Sequence, residues 1–215
     1  MPMPFLKMHA KSRFHLLLLL TAMLASVPNA WASFEEAANA YNAHRYPQAL
    51  HEFERLGALG EIKAQLYAGL MHDNGLGTPK DPVNAFNWYL KAALQGDPRA
   101  QFNVAEMLYQ GSGINKDIHQ SLGWYERAAS HGFPEAQYKW GLILSEGKDT
   151  KQDITTAWMW LEIASMHSQV VGIEQAIKAR DQLTKKLTPK QLEEARGKVN
   201  VWFKLQHDQK NALNI

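Results

Sequence analysis

A pattern of 36 residues is written three times in succession along the middle of this chain, and no other feature restricts its fold so strongly. Ala64-Gln65 returns as Ala100-Gln101 and Ala136-Gln137, Gly75 as Gly111 and Gly147, and Asp81 as Asp117 and Asp153. Trp88 returns as Trp124 and Trp160, and Ala92 as Ala128 and Ala164. Five landmarks held in register over three units describe a solenoid, in which each unit buries its apolar face only against its neighbours. A solenoid offers an extended surface, so a binding face is sought before an active site.

Each unit has the chemistry of two amphipathic helices joined by a tight turn, because small and apolar residues recur three and four apart on both sides of Gly75-x-Gly77. The two glycines supply the left-handed backbone that ends the first helix. Asp81 is placed to cap the second helix, with Pro82 at the first helical position, where no N–H is needed. Asp117 and Asp153 repeat the cap. The Ala92-Ala93 pair lets helices approach closely, and Trp88, Trp124 and Trp160 are expected as core residues between them.

With these residues in view the chain resembles the Sel-one-like repeat (SLR) family, αα-hairpin relatives of the tetratricopeptide repeat. The resemblance rests on Ala64-Gln65, Gly75-x-Gly77, Asp81, Trp88-Tyr89, Ala92-Ala93 and Gly96, and on the same set in the second unit. The third unit is worn: Asp149 replaces the second turn glycine, Leu161 the tyrosine, Ser165 the second alanine and Ser168 the last glycine. The fold so implied is all-α, a right-handed superhelical solenoid of αα-hairpins. Residues 33–57 read as a degenerate hairpin, 60–168 as three SLR units and 170–207 as a pair of capping helices, within one domain over 33–208 and a tail over 209–215. In the pair, Ile173, Ala176, Ile177, Arg180, Leu183 and Leu187 follow helical spacing. Thr188 and Gln191 form a capping box stapled by Leu187 and Leu192, and a last helix runs through Ala195, Val199, Trp202 and Phe203.

The first 32 residues read as an export signal: Lys7, Lys11 and Arg13, then an apolar run with five consecutive leucines, then Ala30-Trp31-Ala32 as a small-x-small cleavage site. Cleavage after Ala32 is expected to deliver the chain to the periplasm or beyond, with membrane contact only transient. No cysteine is present, which excludes a lipoprotein anchor and a disulfide framework. The leader carries three of the 23 basic residues and none of the 21 acidic ones, so the formal charge of +2 falls to near −1 without it. No basic stripe with interleaved aromatics remains, and nucleic acid is not an expected partner.

Motifs of catalysis and cofactor binding give way to plainer readings. The glycine pairs lack the strand before and the Lys-Ser/Thr after that a phosphate loop requires. His131 and His167 occupy equivalent positions in successive units, too far apart to share a metal ion, and no metal or cofactor is expected. Ser145-Glu146-Gly147-Lys148 matches a Ser-x-x-Lys tetrapeptide, but the companion Ser-Asp-Asn and Lys-Thr-Gly elements are missing and Gly147 is the third copy of the turn glycine. The chain therefore reads as a non-catalytic adaptor for another envelope protein or peptide. The alternative is a cell-wall glycan or β-lactam-binding protein with weak hydrolase activity.

If the hairpins stack as in tetratricopeptide arrays, the first helices line the inner, concave face. The turn alignment places Lys63, Leu66, Leu70 and Asp73 there from the first unit. Arg99, Phe102, Glu106 and Tyr109 follow from the second, and Glu135, Tyr138, Leu142 and Ser145 from the third. An apolar and aromatic face with charges at its edges suits a protein partner. Leu66, Leu70, Arg99, Phe102, Glu106, Tyr109, Tyr138 and Leu142 are the candidate contact residues.

Overall fold

The computed structural model describes residues 30–167 and 173–213, in ten helices and, among the described residues, no strand. They are α1 (Ala30–Asn42), α2 (Tyr46–Ala58), α3 (Ile62–Asn74), α4 (Pro82–Leu94) and α5 (Pro98–Gln110), then α6 (Ile118–Ser130), α7 (Pro134–Glu146), α8 (Ile154–Ser165), α9 (Ile173–Thr184) and α10 (Pro189–Leu213). The expected export signal lies outside the described residues, except that Ala30 to Ala32 begin α1. Residues 170–172 of the expected cap lie outside them too. No described helix is long and apolar enough to cross a membrane.

Why the pairs α3–α4, α5–α6 and α7–α8 recur is visible in their ends. Gly75, Gly111 and Gly147 end the first helices in the left-handed conformation, at φ of 68°, 80° and 66°. The carboxylates of Asp81, Asp117 and Asp153 then accept from the backbone N–H of Asn84, Gln120 and Thr156 at 3.0, 2.9 and 2.9 Å. Gly77 has a second task, since a Cβ there would stand 2.7 Å from the carbonyl of Tyr46 at the start of α2. The turn of one unit therefore rests on the second helix of the unit before it.

The core follows the small residues. Ala64, Ala68, Ala85, Ala92, Ala100, Ala105, Ala128, Ala136 and Ala157 are fully buried at the helix crossings, around Tyr89 and Tyr125. A Cβ on Gly69 would meet the Tyr89 ring at 2.6 Å, so the absence of a side chain sets how closely α3 and α4 pack. The tryptophans depart from expectation. Trp160 is 6% exposed, whereas Trp88 and Trp124 are only half-buried. The equivalent ring in the third unit is closed over by α10, whose Trp202 meets Trp160 edge-on at 6.2 Å.

A buried amide ladder, not anticipated from the sequence, links successive units. Gln65, Gln101 and Gln137 each donate to a last-turn carbonyl of the preceding second helix, those of Gly57, Ala93 and Ala129, at 2.9, 3.2 and 3.2 Å. Two of the side-chain oxygens are then satisfied from the end of the second helix of their own unit: Gln95 donates to Gln65 at 2.7 Å and the His131 ring to Gln101 at 2.8 Å, whereas Gln137 Oε1 has no partner among the described residues. His131, weighed above as half of a metal pair, is thus committed to this ladder.

Two helices extend the solenoid past the third unit. The capping box is formed, with the Thr188 N–H donating to Gln191 Oε1 at 3.0 Å and the Gln191 N–H returning to Thr188 Oγ1 at 3.3 Å. α10 lies parallel to α8, since Lys198 donates to Thr156 at 2.9 Å and Gln206 reaches the Ser130 carbonyl at the end of α6, also at 2.9 Å. On α9 the buried positions are Ala176 and Leu183, while Ile177 is 36% exposed, a rotation of the face from the periodicity reading. On α10, Ala195 and Val199 are buried, Trp202 is half-buried and Phe203 is turned outward.

Candidate binding face

Among the described residues α9 and α10 pack chiefly on α8, with α9 also meeting α7, so they leave most of the face built by the first helices α3, α5 and α7 uncovered. Its centre lies where α5 meets α7. There the Tyr109 hydroxyl donates to Asp149 Oδ2 at 2.8 Å, with Lys116 Nζ and Lys139 Nζ 5.4 and 5.6 Å from the ring centre. Beside it Glu106 accepts from the Tyr125 hydroxyl at 2.6 Å and lies 3.5 Å from Lys139 Nζ. The Asp149 hydrogen bond holds the Tyr109 phenol above the usual tyrosine range. Burial first, then the bond to Glu106, raises that of Tyr125 far more. Both phenols stay protonated donors through neutral pH, which fixes the carboxylates they serve.

The candidate residues divide between this face and the core. Arg99 is exposed at its upper edge, 3.8 Å from Asp97, and Leu70, Glu106, Tyr109, Tyr138 and Leu142 are half-buried. Phe102 is half-buried as well, but its ring is braced by Tyr125 at 5.9 Å and Phe133 at 5.3 Å. Leu66 is corrected: at 6% exposure it packs with Ala85, Phe86 and Tyr89 between α3 and α4. One residue on, Tyr67 packs on Phe34 and Phe53 of the preceding hairpin, and in the third unit the same position is half-buried Lys139, which the sequence reading passed over. Lys116 and Asp149 were missed for another reason: both are turn residues, and Asp149 had been read as wear in the repeat.

The tetrapeptide at the end of α7 has the geometry of a helix terminus. Ser145 donates its hydroxyl to the Leu142 carbonyl at 2.8 Å, and Gly147 is the left-handed cap beyond which exposed Lys148 follows. Among the described residues no three His, Cys, Asp or Glu side chains converge as metal ligands. Where α9 and α10 diverge over α8 they leave a cleft of ≈ 520 Å³ lined by Trp158, Glu162, Arg180, Thr184, Arg196 and Val199. Arg180 is already committed there, to Glu162 at 2.8 Å and Asp181 at 2.7 Å.

Comparison with known proteins meets this geometry unit by unit. The family model of the Sel1 repeat matches residues 62–97, 98–133 and 134–168, the three hairpins α3–α4, α5–α6 and α7–α8. A Sel1 repeat protein from Oxalobacter formigenes is similar in structure, with 32% identity and a TM-score of 0.62 over 67% of this chain and 58% of that one. The protective antigen c5321 of uropathogenic Escherichia coli, which displays an SLR fold, is similar over 86% of this chain and 48% of that one, with 24% identity and a TM-score of 0.56. Among curated proteins, chitin synthase regulatory factor 3 of Schizosaccharomyces pombe is 41% identical over 51 residues, 24% of this chain and 6% of that protein. The chain thus spans about half the length of each solved relative and a small part of the curated one.

Proposed function

Because the chain belongs to the Sel1 repeat family, whose members generally serve protein–protein interaction as non-catalytic scaffolds, we propose that it is an adaptor of the bacterial cell envelope that holds a protein or peptide partner on its first-helix face. The observation that carries the reading is Tyr109, fixed by Asp149 between Lys116 and Lys139 on a face that the terminal helices leave open. Side chains already ordered by buried partners lose little rotamer freedom on association, so their contact area converts efficiently into affinity. Leu70, Tyr138 and Leu142 supply the apolar part of that area, and Arg99 with the two lysines supplies a polar rim, the anatomy of a protein-binding patch. The leader-like start of the sequence supports a location in the periplasm or outside the cell for this adaptor.

A photo-crosslinking residue tests the face directly. Placed at Tyr138 of the full chain expressed in a Gram-negative host, it is expected to capture a discrete envelope protein, whereas the same residue at exposed Gln175 on α9 captures none. Equal labelling from both positions removes the first-helix face as the docking site. Recovery of the processed chain, starting at Ser33, from the periplasmic fraction tests the location; a chain retaining Met1 in washed membranes overturns it.

A further inference from the structure

The second helices carry a repeated outward ridge, and the third unit shows what can lie on it. On α8 the ridge Thr156, Met159, Trp160 and Ile163 is covered by α10: Lys198 bonds Thr156, Trp202 meets Trp160, and Met159 and Ile163 are 6% and 0% exposed. One unit back the same four positions are Gln120, Gly123, Trp124 and Arg127, and two units back they are Asn84, Asn87, Trp88 and Lys91. Among the described residues no helix lies over these positions, α10 reaching only the Ser130 carbonyl at the far end of α6. The apolar isoleucine has become a cation in each, with Lys91 Nζ 3.8 Å above the Trp88 ring and the Arg127 guanidinium 4.8 Å from that of Trp124. Neither cation makes an ion pair among the described residues, and α4 contains no carboxylate from Pro82 to Leu94.

A second observation points to the same ridge. Gly123 sits in the middle of α6, exposed, and a Cβ built on it meets nothing within 4 Å. Glycine weakens a helix interior relative to alanine, and here neither packing nor a positive φ requires it. Its equivalent in the covered unit, Met159, is a contact position, so a missing side chain at 123 leaves room for a partner's backbone to pass close to α6.

We propose that the ridges of α4 and α6 dock an extended acidic segment of a protein partner, with one carboxylate on Lys91, the next on Arg127, and the intervening backbone crossing at Gly123. α4 and α6 each pack on α5 rather than on one another, so they stand no nearer than the about 8 to 10 Å of packed helices. A polyproline-type strand advances about 3.1 Å per residue, so acidic residues three apart reach that minimum and those six apart reach beyond it. Glu126, exposed beside Arg127, suits separated carboxylates better than the dense phosphate charge of a nucleic acid. This surface is distinct from the first-helix face and stands or falls without it.

The probe is a fluorescein-labelled 12-residue peptide, Glu-Pro-Thr written four times, titrated with the full chain and followed by polarisation. Binding is expected to weaken as salt rises, and at least tenfold in the double variant Lys91→Gln, Arg127→Gln. Gly123→Ala is expected to melt no lower than the parent yet bind at least fivefold more weakly. Gly197→Ala, at an equally uncrowded exposed glycine of α10, leaves affinity unchanged. No binding at 1 mM peptide, equal binding of the Gln-Pro-Thr counterpart, an unaffected double variant, a Gly123→Ala that melts lower, or tighter binding of a 12-base DNA strand each overturns the proposal.

Discussion

Truncating the equivalent tryptophans of the second and third units should give unequal losses, because only one of the two rings is enclosed. A buried tryptophan removes about 150 to 250 Å² from water, which at about 25 cal/mol per Å² corresponds to about 4 to 6 kcal/mol as an upper figure. Trp160 is 6% exposed beneath α10, and Trp160→Ala leaves a space walled by Trp202 and buried alanines that cannot collapse fully, at a cost of about 3 to 5 kcal/mol. Trp124 is half-buried, so about half the transfer value applies, with about 0.5 to 1 kcal/mol more for the lost Arg127 stacking, a total of about 2.5 to 4 kcal/mol as an upper figure, against about 4 to 6 kcal/mol on the same scale for Trp160. Urea unfolding followed by helical circular dichroism measures both. Loss of Trp160 should also lower the slope of the transition, because α9 and α10 hold to the solenoid through α8 and would unfold ahead of it. If Trp124→Ala proves the more damaging, or the two losses are equal, α10 does not cover the third unit and the contrast between the ridges disappears.

Two further outcomes test the helix ends and the close crossings. The backbone N–H groups of Asn84 and Gln120 hold the carboxyls of Asp81 and Asp117 below the ordinary aspartate value of 3.8. A depressed carboxyl stabilises the fold above its unfolded pKa and loses that contribution as pH falls toward and through the folded one. The melting temperature should therefore drop below about pH 4, and the double variant Asp81→Asn, Asp117→Asn, which keeps both caps, should flatten that limb; an unchanged acid limb refutes the caps' part in it. Gly69→Ala brings a Cβ to 2.6 Å from the Tyr89 ring, itself 1% exposed, so overpacking of about 3 kcal/mol outweighs about 1 kcal/mol of helix propensity and leaves a net loss of about 2 kcal/mol. A Gly69→Ala protein as stable as its parent in urea shows that α3 and α4 have slack at this crossing.

The helices, their turns and their caps were legible because each is encoded locally and written three times. Gly75 and Asp81 need only their own backbone to act, and the structure shows them acting as read. The binding face was legible in outline but not in phase. A helix turns about 100° per residue, so an alignment drawn on turn residues put Leu66 on the open face where the packing turns it into the core. The tryptophans failed because a shared repeat position was read as a shared environment: the change from Lys91 and Arg127 to Ile163 beside them was a local sign of the difference, and the placement of a helix some 40 residues later encloses Trp160. The amide ladder was visible as the repeated Ala-Gln pair, yet its meaning depends on a carbonyl eight residues back and a donor 30 residues ahead.

Departures from the repeat mark where this solenoid does something other than stack. Gly77 and Gly113 keep the second turn glycine, and the third unit replaces it with Asp149, a loss of turn chemistry that gains the acceptor fixing Tyr109 on the open face. Lys91 and Arg127 hold a position that becomes Ile163 only where a helix of the same chain covers it. In both cases the substituted residue costs the repeat some local regularity and adds an interaction that reaches outside its own unit. Wear toward the end of a solenoid predicts residues that merely tolerate solvent. Asp149 is instead hydrogen-bonded across units, and Met159 and Ile163 are apolar and enclosed, so the third unit has been rebuilt on both faces. The first unit keeps the pattern and lends the first-helix face only Leu70 and charged neighbours, so under the proposed function the contacts centre between α5 and α7, and Tyr109→Ala is the single substitution expected to weaken capture of a partner most.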